Sequence, residues 1–220
     1  MARFDAVLFD LDGTLVDSAP DLAGAANDLR IARGLAPLPF ELLRPMAGAG
    51  ARGMLGVAFG VVPGEARFID LREDFLIRYE QRLLQETVVF AAVEPLLHSL
   101  DAAAMRWGIV TNKAMRFAGP LVQGLALHVR AAALIGGDST PHAKPHPEPL
   151  LEAARRMGVA PARCVYVGDD LRDVQAGRAA GMATLAAVWG YLGQGDAPEH
   201  WGADAVIDDP MQLLKWLELA

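Results

Sequence analysis

A single cysteine, Cys164, excludes an intramolecular disulfide and a cysteine-based zinc site. It lies in the apolar run Cys164-Val165-Tyr166-Val167, where a thiol packs as a small hydrophobe. Basic stripes are missing as well: 27 Asp and Glu stand against 20 Lys and Arg, a formal net charge of −7. That balance argues against a nucleic-acid partner. It does not exclude an anionic substrate, because a metal ion and a few Lys and Arg concentrate positive charge locally. No apolar run approaches the length of a membrane span. No charged segment followed by an apolar stretch and a cleavage site opens the chain. The expectation is a soluble, cytoplasmic protein with no membrane partner. Internal repeats and low-complexity tracts are also missing.

Apolar material is plentiful, 53% against 21% charged, in a chain of 220 residues that suits one large domain or a core with a modest insertion. Short β-rich runs alternate with helical patterns, which predicts an α/β fold with a doubly wound parallel sheet. Strands are expected at 6–9, 107–111, 132–135, 164–167 and 184–188, with a last one at 205–207. Helices are expected over 95–100, 120–127, 148–157, 171–180 and 210–219, the last with Pro near its first turn. Strand patterns are scarce from 16 to 84, where helical patterns run over 20–33, 40–46, 51–59 and 67–84. A doubly wound fold should reach its second strand sooner, so this stretch reads as an all-helical insertion.

Polar residues gather where strands end. Ala6-Val7-Leu8-Phe9 runs into Asp10-Leu11-Asp12-Gly13-Thr14, two carboxylates where open α/β sheets do their chemistry. Like charges that close need a cation between them, or one must hold its proton. A carboxylate can also serve as a nucleophile, or simply cap a helix. Ile109-Val110-Thr111-Asn112-Lys113 presents a hydroxyl that can donate to a phosphoryl oxygen. Lys144-Pro145 lies in a Gly- and Pro-rich stretch, 136–149, read as an active-site loop. An ammonium there can offset charge on a nucleophile and a transferring group. Val165-Tyr166-Val167-Gly168-Asp169-Asp170, with Asp173 beyond, supplies hard carboxylate oxygens that suit Mg²⁺. His142 and His146, flanked by Pro141, Pro145 and Pro147, read as loop residues rather than metal ligands. Trp189, Trp201 and Trp216 are assigned to packing in the core and at the C-terminal edge.

Phe9-Asp10-Leu11-Asp12-Gly13-Thr14 resembles the first motif of the haloacid-dehalogenase-like (HAD) phosphohydrolases, and the other three stretches match the family set in order. The resemblance covers essentially the whole chain. It implies a Rossmann-like core over 1–15 and 86–220, with 16–85 as a small helical cap that closes over the site. It implies a Mg²⁺-dependent phosphomonoester hydrolase in which Asp10 forms an aspartyl-phosphate. Asp12 would protonate the leaving alcohol and then activate water. Thr111 and Lys144 would hold the phosphoryl group, with Thr14 and Asn112 among the substrate-binding residues. Mg²⁺ would sit on Asp10, Asp169 and the backbone carbonyl of Asp12, while Asp170 and Asp173 orient the metal waters and Lys144.

In the insertion, Gly48-Ala49-Gly50-Ala51-Arg52-Gly53-Met54 looks like the loop that faces the site. Arg52 is placed to grip a carboxylate, or is a solvated residue at a helix start; Arg116 has a similar claim. Within the family the chain resembles the phosphoglycolate phosphatase group. Stretches 107–113, 116–118, 168–173 and 201–204 are also similar to phosphatases of N-acetylmuramic acid 6-phosphate, in cell-wall recycling. The departures lie mostly in the insertion and in 193–200. The expected partner is a small phosphorylated, carboxylated metabolite. Asp12 argues against a dehalogenase, which lacks that second acid. A β-phosphoglucomutase-like phosphomutase would share both acids and the cap. A receiver-type signalling domain uses a related acid cluster, Thr and Lys, but needs no lid and carries its phosphoacceptor on a later strand. Monomer and homodimer both stay open.

Overall fold

The computed structural model describes residues 4–193 and 195–219, so Gln194, within the divergent stretch 193–200, lies outside the described residues. Strand β1 (Ala6–Phe9) is buried at every position, as befits a strand covered on both faces. A two-residue strand β2 (Val16–Asp17) follows, then helices α1 (Ala19–Ala32), α2 (Phe40–Leu43), α3 (Gly50–Phe59) and α4 (Ala66–Arg82). Strand β3 (Val88–Val89) pairs antiparallel with β2, so the helical segment leaves and returns through one small ribbon. After α5 (Val93–Ala102) come β4 (Arg106–Val110), α6 (Met115–Gly124), β5 (Leu134–Ile135) and α7 (Glu148–Met157). The chain closes with β6 (Cys164–Gly168), α8 (Leu171–Ala179), β7 (Ala183–Ala187), β8 (Ala205–Ile207) and α9 (Gln212–Trp216).

Six strands form one parallel sheet in the order β5-β4-β1-β6-β7-β8. The chain runs outward from β1 to β5, then returns to β6 on the other side, so strand order reverses beside β1. Open sheets bind ligands outside the carboxyl ends of their strands at such a point. Register sharpens this: Phe9 pairs with Ile109 on one side and Val167 on the other. Asp10, Thr111 and Asp169 therefore emerge together at the carboxyl end of the sheet.

Alternate residues face opposite sides of a strand. Val7, Phe9, Ile109, Val165 and Val167 pack one face against Leu96, Leu97, Leu121 and Leu213. Ala6, Leu8, Val110, Cys164 and Tyr166 pack the other against Leu150, Ala153, Met157 and Ala176. The helical segment has its own apolar cluster, with Leu22, Leu29, Met54, Leu55, Phe75 and Tyr79 buried together, joined by Phe117 and Tyr191. Each such side chain contributes roughly 1.5–3 kcal/mol on full burial. Among the described residues no helix is long and apolar enough to cross a membrane.

Departures from the expected elements have local causes. The stretch read as strand-free contains β2, two residues long and paired with a partner beyond the helices. The strand expected at 132–135 shrinks to Leu134–Ile135, at the sheet edge where it pairs with β4 alone. The helix expected from 120 begins at Met115, whose N–H donates to Asp138 Oδ1 at 2.8 Å, so Pro120 lies inside it. The helix expected over 40–46 changes to 3₁₀ at Arg44, beside Pro45, which lacks an N–H. The closing helix is confined to Gln212–Trp216 within the expected 210–219. Trp216 stacks on Phe4 with centroids 5.7 Å apart, Trp201 is buried, and Trp189 Nε1 donates to the Thr14 carbonyl at 3.0 Å.

Candidate active site

Asp10 sits one residue past β1 with its N–H still donating to the Val167 carbonyl. Its Oδ1 forms an ion pair with Lys144 Nζ at 2.8 Å and accepts from the Leu11 N–H at 2.7 Å. Lys144 Nζ also donates to Asp173 Oδ1 at 2.7 Å, Tyr166 Oη at 2.8 Å and the Val110 carbonyl at 3.0 Å. A buried ammonium is stable only when paired and hydrogen-bonded. Burial opposes the charge on Lys144, but Asp10 and Asp173 more than offset it and raise its pKa. Burial in turn pushes the Asp10 carboxyl up to about 7, against the pull of Lys144. Asn112 grips the loop that carries this lysine: its Nδ2 donates to the Lys144 carbonyl and its Oδ1 accepts the Lys144 N–H, each at 2.9 Å.

Asp169, one residue past β6, accepts from Thr14 Oγ1 at 2.9 Å and from the Tyr191 N–H at 2.8 Å. Two glycines permit that closeness. A Cβ at Gly13, where φ is 88°, would lie 2.2 Å from Asp169 Oδ2, and one at Gly190 would lie 2.3 Å from Asp169 Cβ. Asp10, Asp169 and Asp173 each bring a carboxylate oxygen within 4.8 Å of the others. Burial, with the charges of Asp10 and Asp173, drives the Asp169 pKa well up. Crowded carboxylates of this kind fit a hard divalent cation, which takes oxygen donors and relieves their repulsion.

The two acids after Asp169 diverge. Asp173 turns inward to Lys144, and its Oδ2 accepts the Asp170 N–H at 3.1 Å. Asp170 caps α8 through the Arg172 N–H at 2.9 Å and binds the Arg172 guanidinium at 2.7 Å. Burial works against the Asp170 carboxylate, and Arg172 more than offsets it, leaving its pKa below the ordinary value. Arg172 also reaches across to the Gly48 carbonyl at 3.0 Å. Asp12 has different partners. Its Oδ1 accepts from Ser18 Oγ and from Lys113 Nζ, the latter at 3.1 Å. Lys113 Nζ donates also to Tyr79 Oη, on α4, at 2.7 Å.

A cavity of about 530 Å³ separates this sheet end from the helical segment. Asp10, Asp12, Thr111, Asn112 and Lys144 line it from the sheet, with Asp170 and Asp173. Arg52 and Arg72 line it from the helices, and Arg116 from α6; all three are exposed. Thr14 and Asp169 are buried behind the lining. Thr14 therefore touches Asp169, not the space a substrate would fill. His142 and His146 are exposed side chains of the Lys144 loop, their rings stacked 4.3 Å apart, with His142 Nδ1 2.8 Å from Glu148 Oε2. Sequence reasoning gave no role to Lys113, Ser18, Tyr79 or Arg172. Lys113 had a local signal, since it directly follows Thr111-Asn112; Tyr79 looks like any apolar-face residue of α4.

Residues 4–181 match the family model of haloacid dehalogenase-like hydrolases. Over 208 residues the chain is 49% identical to the phosphoglycolate phosphatase of Xanthomonas campestris pv. campestris, which covers 94% of each protein. Over 218 residues it is 40% identical to the N-acetylmuramic acid 6-phosphate phosphatase of Pseudomonas aeruginosa, covering 99% of this chain and 96% of that one. A solved structure, described as a predicted phosphoglycolate phosphatase from Haemophilus somnus, superposes with a TM-score of 0.85 at 28% identity, over 98% of this chain and 99% of that one. Family model, near full-length relatives and fold agree: the chain belongs to the haloacid dehalogenase-like hydrolases and is one of that family's phosphatases.

Proposed function

We propose that the chain is a Mg²⁺-dependent phosphomonoesterase that hydrolyses a small carboxylated phosphate ester, 2-phosphoglycolate first among them, through an aspartyl-phosphate on Asp10. The observation that carries this is the convergence of Asp10, Asp169 and Asp173, two of them paired with a buried Lys144, where the sheet end meets a large cavity. Asp10, Asp169 and the backbone carbonyl of Asp12 would hold Mg²⁺, with Asp173 beside them. When bound, the ion supplies positive charge to phosphoryl oxygens and draws Asp10 into its carboxylate form.

The chain's own residues then divide the work. A carboxylate oxygen of Asp10 bonds to phosphorus as the ester P–O bond breaks, and Asp12 gives its proton to the departing oxygen. Asp12, now a carboxylate, takes a proton from water as the water oxygen attacks the same phosphorus. The bond to Asp10 breaks, and inorganic phosphate leaves. Thr111 and Lys144 hold phosphoryl oxygens, and four fixed partners around Lys144 Nζ keep its reorganisation small. Residues 16–85 act as a cap on the core formed by 1–15 and 86–220, closing the cavity from above and excluding water. Arg52 grips the substrate carboxylate, and Asp170, through Arg172 and Gly48, ties cap to core.

A second reading has its own support. The cavity of about 530 Å³ has room for an amino-sugar acid, far larger than a two-carbon ester, which favours N-acetylmuramate 6-phosphate. Phosphate release from 2-phosphoglycolate, N-acetylmuramate 6-phosphate and β-glucose 1-phosphate at matched Mg²⁺ decides between them. The ratio of kcat/KM values expresses the preference. A large preference for the muramate ester replaces the first reading with the second. No phosphate release from any of the three, with Mg²⁺ present, overturns both and returns a phosphomutase to the front.

A further inference from the structure

The helical segment reaches the acid–base residue at two points, through a relay of Tyr79 and Lys113 and through the hydroxyl of Ser18. Tyr79 lies near the end of α4, 2% exposed, its ring stacked parallel to Phe75 at 6.3 Å and against Phe117 at 5.4 Å. Its hydroxyl accepts from Lys113 Nζ at 2.7 Å, and the same ammonium stands 4.6 Å from the centre of its ring. Lys113 in turn reaches Asp12 Oδ1 at 3.1 Å, with its side chain only 8% exposed. Ser18 Oγ meets that same oxygen from the start of the helical segment. Both contacts fall on Oδ1. Among the described residues Oδ2 accepts no hydrogen bond. One oxygen is thus anchored and the other is left to exchange a proton with substrate or water.

We propose that Tyr79 and Lys113 are positioning residues for Asp12: Tyr79 fixes the Lys113 ammonium, and Lys113 fixes the carboxyl that protonates the leaving group. This rests on the reading of Asp12 as the acid. A loose ammonium would still neutralise charge but would leave the Asp12 carboxyl held by Ser18 alone. Placing α4 against the sheet end therefore completes the acid as well as covering it. Misplacement of a reacting group by about 1 Å is enough to cost on the order of a hundredfold in rate. Removing the Tyr79 hydroxyl leaves its ring packing intact, so Tyr79→Phe separates positioning from folding.

The test compares two leaving groups. An alkyl phosphate, the one turned over fastest, needs its departing oxygen protonated; p-nitrophenyl phosphate expels a stable anion and needs little help. The ratio kcat/KM reports only steps up to departure of the leaving group, so later hydrolysis of the aspartyl-phosphate does not blur the comparison. Tyr79→Phe is expected to lower kcat/KM about tenfold on the alkyl ester and less than about twofold on the aryl ester, a fraction of the roughly 10²- to 10⁴-fold that a positioned acid contributes. Lys113→Met should show the same selectivity with a larger fall, and melting temperatures check that both variants fold. Equal falls on both esters, or none on either, overturn the relay. Asp12→Asn is the control for the underlying reading. If it lacks leaving-group selectivity, the acid assignment fails; if it is selective while Tyr79→Phe and Lys113→Met are not, only the relay fails.

Discussion

Across the cavity, two walls face each other with different commitments. On the sheet side Lys144 Nζ is held by Asp10, Asp173, Tyr166 and the Val110 carbonyl, and Asn112 clamps the backbone beneath it. On the helical side Gly48, Ala49, Gly50 and Ala51 form much of the lining, and Arg52 and Arg72 stay exposed. Charge stabilisation in a transition state needs groups already in place before the reaction begins. Choosing a substrate needs groups still able to meet it. The contrast teaches that changes to the first wall should remove chemistry, whereas changes to the exposed arginines of the second should alter binding.

The sharpest way to break that contrast is Asp10→Asn. The substitution keeps the shape and removes the carboxylate proposed as nucleophile, so phosphate release should fall by at least about 10⁴-fold, the scale seen when a catalytic nucleophile is lost. Removal of divalent cations with a chelator should silence the enzyme comparably, and Mg²⁺ should restore it. Activity in Asp10→Asn above about a hundredth of the parent would leave the sheet wall without its central role.

Arg52→Ala probes the opposite wall with a smaller expected effect. Loss of a charge-assisted contact worth roughly 1.5–3 kcal/mol should raise KM for a carboxylated ester about 10- to 100-fold with little change in kcat. p-Nitrophenyl phosphate, with no carboxylate, should hardly notice. Because Arg52 is exposed, the melting temperature should stay unchanged. A fall in kcat with KM constant would place Arg52 with the chemistry and dissolve the distinction between the walls.

The two walls also differed in how far the sequence disclosed them. A strand buried on both faces reads as an unbroken apolar run, and the residue that follows it is fixed at the carboxyl end of the sheet. Asp10, Thr111 and Asp169 were therefore legible from purely local patterns, as was the alternation of strands and helices. What stayed hidden depends on contacts between residues remote in the chain. The β2–β3 ribbon joins Val16 to Val89, α6 starts where Asp138 caps it, and Tyr79 meets Lys113 only after α4 folds back. Thr14 illustrates the limit well. The family resemblance assigned it to the substrate, while the folded chain turns its hydroxyl inward to Asp169.

The smallest effect concerns stability, and its sign follows from burial at the sheet wall. Asp10 moves from an ordinary 3.8 to about 7 in the folded protein because burial disfavours its charge. Asp169 moves in the same direction for the same reason, with Asp10 and Asp173 adding to it. Where a folded carboxyl has the higher pKa, the folded state holds more protons than the unfolded state, so stability falls as pH rises through that window. A divalent cation at the cluster favours the ionised forms and opposes the fall. In chelator, the melting temperature should therefore drop between about pH 5 and about pH 7.5. Mg²⁺ should raise it more at the higher pH, where an ion at a hundred times its Kd adds about 2.7 kcal/mol of stability. The exposed arginines across the cavity have no comparable burden, so Arg52→Ala should leave this pattern intact while Asp169→Asn should flatten it. Equal Mg²⁺ responses at both pH values, or a melting temperature that climbs with pH in chelator, would mean that the buried carboxylates are not where the ion acts.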